Sequence, residues 1–179
     1  MMLWVDIFGY VGLLLNLVAV LAASRKKLLL TQISSSIAFS LHYYLLGAYA
    51  GALQVIVTII RNILFLNSKK FDQPQYVLYG ILTLSVAFAL MGWQGPITLL
   101  VMISILLGTI GRWQNSLELL LIFSFVATIF TLLYAVAVAS IPAVVSSIIQ
   151  MIITSIAIAK NEWKDHLIQN YVRDWHVSH

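Results

Sequence analysis

Seven apolar stretches separated by short breaks constrain this chain more than any other feature. They span residues 3–24, 28–47, 51–67, 74–91, 96–111, 116–138 and 140–160. Crossing about 30 Å of hydrocarbon takes roughly 17 to 25 helical residues, so each stretch is close to the length of one span. Lipid offers the backbone no hydrogen-bond partners, and runs of this length satisfy their own amides and carbonyls only as helices. Composition points the same way. Of 179 residues, 61% are hydrophobic and 9% charged, and the mean hydropathy is +0.98. A soluble domain is nearer a quarter charged. The expected fold is therefore all-α and integral to a membrane, with seven transmembrane helices.

The cations fix the count. Arg25, Lys26 and Lys27 fall between stretches 1 and 2, Lys69 and Lys70 between 3 and 4, Arg112 between 5 and 6, and Lys160, Lys164 and Arg173 in the tail. The breaks 2–3, 4–5 and 6–7 carry no Lys or Arg. With seven spans all nine cations share one face, and the excess of Lys and Arg on cytoplasmic loops makes that face cytoplasmic. The N-terminus is then outside and the C-terminus inside. The start of the chain lacks a basic region and a cleavage site, so it reads as retained helix. The formal charge of +4 reflects this one-sided excess, and no basic run interleaved with aromatics suggests nucleic acid. With no cysteine in the chain, disulfides, thiolate metal sites and lipidation at Cys are excluded.

The short breaks group the helices. Residues 1–67 hold one triplet, 74–91 a linker helix and 96–160 a second triplet, which together make one transmembrane domain over 1–160 followed by a polar cytoplasmic tail at 161–179. An offset of 89 residues sets polar positions of the halves against each other: Ser35 with Ser124, Thr58 with Ser147 and Arg61 with Gln150. An odd number of helices between the triplets makes them parallel repeats, two three-helix bundles joined by one helix in a 3+1+3 arrangement.

Polar residues inside spans need partners or water. Gln54, Thr58, Arg61 and Asn62 form a stripe on the third helix, and Ser147, Gln150 and Thr154 repeat it on the seventh. The two stripes fit either a central polar cavity or hydrogen bonds between helices. The first helix carries Gly9, Gly12, Asn16, Ala19 and Ala23 at spacings of three and four. Such small residues let backbones approach closely, while Asn16 can reach a cavity. His42 shares a face with Thr31, Ser35 and Ala38. It reads as a proton-sensitive gate or solute contact, or as a neutral ring bonded to a neighbouring helix. Arg61 is the one basic residue inside a span, about 9 Å from the cytoplasmic end at 1.5 Å per residue. Snorkelling, a pair with Glu118 and contact with an anionic solute are its three alternatives. Asp6 reads as an interfacial carboxylate, and Trp4, Trp93 and Trp113 as belt residues at helix ends. No enzyme signature is present, and the tail residues His166, His176 and His179 read as solvated rather than as a metal site. No cofactor or metal is expected.

The run His42-Tyr43-Tyr44-Leu45-Leu46-Gly47-Ala48-Tyr49, a small-residue turn and Ile59-Ile60-Arg61-Asn62 resemble the bacterial inner-membrane YgjV family. The similarity continues through residues 96–112. The resemblance implies a multi-pass protein of the bacterial inner membrane. Through that family's likeness to the SWEET, PQ-loop and PnuC-like transporters, it also implies the 3+1+3 architecture. The Pro-Gln dipeptide of PQ-loop proteins is absent from the expected place, since Pro74-Gln75 opens the linker helix, and Thr131 stands where a second His could. The expected function is a small SWEET-like carrier that moves a small polar solute by alternating access. Its candidate contacts are His42, Gln54, Thr58, Arg61, Asn62, Ser147, Gln150 and Asn16. A non-transporting receptor, sensor or subunit of the same fold is the alternative. The partners are the lipid bilayer and that solute, and self-association into a homo-oligomer is compatible with such a chain.

Overall fold

The computed structural model describes residues 2–20, 25–67, 74–114 and 117–159; the tail at 161–179 lies outside them. The described residues form seven helices: α1 (Met2–Val20), α2 (Arg25–Leu45), α3 (Tyr49–Leu66), α4 (Pro74–Met91), α5 (Ile97–Trp113), α6 (Leu117–Ala137) and α7 (Ile141–Ala159). Their bounds fall within a few residues of the apolar stretches. α2 starts at Arg25, three residues before its apolar stretch, and so includes the cations. Three helices are long and apolar enough to cross a membrane by length and composition: Tyr49–Leu66, Glu118–Ala137 and Ile141–Ala159. Leu3–Ala19, Gln75–Met91 and Ile97–Trp113 are apolar but shorter.

Proline and turn chemistry place the ends. Pro74 opens α4 and Pro142 lies in the first turn of α7, where a missing N–H leaves no helical bond unmade. The 2–3 turn closes with Gly47 at φ 79°, its N–H bonded to Tyr44 O and that of Ala48 to Tyr43 O. The 6–7 turn repeats it with Ala139 at φ 55°, its N–H bonded to Val136 O and that of Ser140 to Ala135 O. Both are Schellman endings, with a left-handed residue one step past the helix. Each bond of the second turn lies 92 residues after its counterpart. The turns thus correspond three residues further along than the offset of 89 that best matched polar positions. Glycine adopts that conformation freely, whereas Ala139 carries roughly 1 to 2 kcal/mol of backbone strain.

Packing closes a ring. α1 lies against α2 and α7, α2 against α3, α3 against α5, α5 against α6 and α6 against α7, while α4 packs on α3 and α5. Small residues allow the close approaches. A methyl group at Gly12 would stand 2.9 Å from the Phe39 ring, and one at Gly51 2.7 Å from Tyr134. Beside the turns, Tyr43, Ala48, Ala50, Ala52, Val101, Tyr134, Ala135 and Ala143 form one buried cluster. A second, between α2, α3 and α4, holds Leu29, Val57, Phe65 and Ile81, with Trp113 of α5 packed against it. Trp113 therefore serves the core as well as a helix end. Large apolar side chains on the outside of the ring, among them Leu14, Ile63, Leu90, Leu133 and Ile152, are exposed, as a lipid-facing surface requires.

Candidate functional site

Six ring helices line a cavity of about 180 Å³, far larger than the ~10–15 Å³ that admits one water on such a measure. Asn16 comes from α1, Gln32, Ser35, Ser36, Phe39 and Tyr43 from α2, and Thr58 and Asn62 from α3. Ser104 and Arg112 of α5, Thr131 of α6, and Ser146, Ser147 and Gln150 of α7 complete its polar wall. Hydrogen bonds fix these side chains across helix boundaries. Asn16 Nδ2 donates to Ser146 Oγ at 2.8 Å, Ser35 Oγ to Gly12 O at 2.7 Å, and the hydroxyls of Ser104 and Thr131 are hydrogen-bonded at 2.6 Å.

Of the residues singled out by sequence, Asn16, Thr58, Asn62, Ser147 and Gln150 meet at this cavity. The other three sit elsewhere. Gln54 turns to α4, where Nε2 donates to Ser85 O at 2.6 Å and Ser85 Oγ donates to its Oε1 at 2.7 Å. Both side chains are buried, so this pair ties α3 to α4. His42 lies outside the cavity wall, only 1% exposed. Its Nδ1 is 2.7 Å from Val5 O and its Nε2 2.7 Å from Ser140 Oγ. A carbonyl only accepts, so Nδ1 carries a proton and donates to it, while Nε2 is bonded to the serine hydroxyl. This is the arrangement of a ring bonded to neighbouring helices, here α1 and α7 together.

Arg61 is 2% exposed and does not reach outward. Its Nη1 donates to Thr109 Oγ1 at 3.3 Å and its Nε to Asn62 Oδ1 at 3.5 Å, so the guanidinium is turned into the bundle. Glu118 is exposed. Gln32, Ser36, Tyr43 and Arg112 were not anticipated at the cavity. On α2 the signal was present as the row Gln32, Ser36, Phe39 and Tyr43, spaced at four, three and four. It runs one position round the helix from the row Thr31, Ser35, Ala38 and His42. Arg112 reads as a loop charge unless α5 is extended to Trp113.

Hydrogen bonds join the helices at both ends of the ring. At the turn end, Tyr134 Oη accepts from Gly51 N at 2.7 Å, His42 bridges α1 and α7, and Gln94 Nε2 donates to Gly47 O at 2.7 Å. At the charged end, α3 joins α2 through Asn62 Nδ2 and Gln32 Oε1 at 3.5 Å, and α5 through Arg61 and Thr109 at 3.3 Å.

Apolar helices closed around a hydrogen-bonded polar centre define a polytopic helical membrane protein. Residues 3–164 match a family described as bacterial inner membrane protein, Imp-YgjV. The chain belongs to that family, and its membrane is accordingly the bacterial inner membrane. No curated protein and no solved structure matches it.

Proposed function

We propose that the protein is a carrier, not an enzyme, with seven spans in a 3+1+3 arrangement, that moves a small polar solute through the central cavity by alternating access. The observation that carries this reading is the cavity itself, which takes polar side chains from all six ring helices and none from α4. A purely structural polar core would be expected to use its side chains on one another and leave no such space. The repeat of the 2–3 turn in the 6–7 turn, 92 residues on, supports two parallel triplets with α4 as linker.

The solute would be found by screening metabolites for a rise in melting temperature of the purified protein. Each hit is then assayed for counterflow in proteoliposomes. Saturable counterflow of at least one hit is the expected result. Hits that bind without counterflow would instead make the chain a sensor or receptor.

In the proposed orientation the charged end is cytoplasmic. Because the chain has no native cysteine, single cysteines report topology directly. In intact cells stripped of the outer membrane, cysteines at Asn67 and Gln75 should resist a membrane-impermeant thiol reagent, and one at Trp93 should label. The reverse pattern would invert the orientation, and labelling of Asn67 together with Trp93 would refute seven spans.

A further inference from the structure

A methyl group at Gly108 would stand 3.6 Å from Arg112 Nη1 and 3.8 Å from Arg61 Nη1. Two guanidinia, one from α3 and one from α5, therefore border a single spot at the charged end of the ring. Arg112 and Asn62 both line the cavity, and Asn62 Oδ1 accepts from Arg61 Nε at 3.5 Å. Arg112 Nη1 donates to Gly108 O at 3.3 Å, which holds it over the same glycine.

We propose that this spot is an anion subsite, and that the solute carries a carboxylate or phosphate held between Arg61 and Arg112. The inference rests on the carrier reading of the cavity and gives its substrate a charge class. Two cations converging in a low-dielectric interior repel each other, and an anion between them replaces that repulsion with two attractions. Guanidinium is suited to the task. Its planar fork pairs with two oxygens at once, it is charged at every physiological pH, and it is weakly hydrated. Both guanidinia have further interactions, so the anion binds in exchange for existing partners. Such an exchange lets the subsite release its ligand as well as hold it. Asn62 and Gln32, bonded at 3.5 Å, stand at the same end of the cavity wall with amide donors to offer the remaining oxygens.

Gly108 supplies the decisive variant. The nearest atoms to an added methyl group, 3.6 to 3.9 Å away, are at ordinary van der Waals distance, so Gly108→Ala fits without displacing a neighbour. It also favours the helix. The methyl group nevertheless occupies space beside both guanidinia while leaving both charges in place.

The test uses the full chain in phosphatidylcholine nanodiscs, titrated with sodium phosphate and with sodium succinate at constant ionic strength, and melting temperature is the readout. Saturable stabilisation by at least one of the two is expected. Arg112→Gln and Gly108→Ala should each weaken it at least about tenfold, the loss that follows from removing or displacing a hydrogen bond to a charged group. Gly108→Ala should do so with a melting temperature at or slightly above that of the wild type in the absence of anion. No saturable effect of either anion, or equal affinity in the wild type and both variants, would overturn the proposal. A second arm replaces part of the lipid with phosphatidylglycerol. Stabilisation by that lipid that depends on Arg112, with no response to phosphate or succinate, would assign the spot to a headgroup and overturn it as a solute site. Anion binding without counterflow in proteoliposomes would leave the subsite standing and remove only the carrier reading.

Discussion

Gly9→Ala should lower the stability of the purified protein by about 1 to 3 kcal/mol, the range for overpacking a filled interior, and Gly9→Leu should prevent it from accumulating as a folded species. The added methyl group would lie 2.6 Å from Pro142 Cγ and 2.8 Å from His42 Nδ1. Neither neighbour can move aside cheaply. The proline ring is fixed in the first turn of α7, and the imidazole is bonded at both nitrogens. α1 must therefore back away from α2 and α7, which strains the bonds from His42 to Val5 and from Asn16 to Ser146. Gly80→Ala in α4 is the matched control, because nothing lies within 4 Å of that position. It should melt at or slightly above the wild-type temperature. Equal melting temperatures for the two variants would show that α1 does not pack at this point.

Ser147→Phe should reduce solute flux to below about a tenth of wild type, because a bulky apolar ring both fills the space and withholds the polar contacts that a solute exchanges for water. Ser147 is 3% exposed and stands on the cavity wall with Asn16, Thr58 and Gln150. The ring has vacant space to enter, so the melting temperature should hold, unlike that of Gly9→Ala. Counterflow in proteoliposomes and thermal melting of the same preparation separate the two effects. Full flux through Ser147→Phe would mean that the solute does not pass this cavity.

The helices were legible in the sequence because lipid leaves few choices. A run of about 20 apolar residues has one conformation that satisfies its backbone, and Pro74 and Pro142 mark starts for a simple steric reason. The site was only half legible. Periodicity identifies residues that share a face, but not what that face meets. Thr58 and Asn62 face the cavity, while Gln54, one turn before Thr58, belongs to a pair with Ser85 that no spacing within α3 reveals. His42 likewise has the look of a gate residue, yet its partners come from α1 and from the start of α7, which is 98 residues away. A polar group in a span is equally well satisfied by a neighbour or by a cavity, and only packing decides. Arg112 was hidden by a boundary. Two further residues of α5 carry it from the loop to the cavity wall.

The crosswise bonds at the turn end also set an order of events during synthesis. Gly51 waits for the hydroxyl of Tyr134, 83 residues later, and His42 waits for Ser140, 98 residues later. At about 5 to 20 residues per second, those partners leave the ribosome roughly 5 to 20 s after the groups they will meet. For that interval α1 to α3 have one imidazole nitrogen and one helix-terminal amide still without these partners. The nascent first half is therefore an unfinished surface, whose last two polar partners belong to α6 and to the residue that precedes α7.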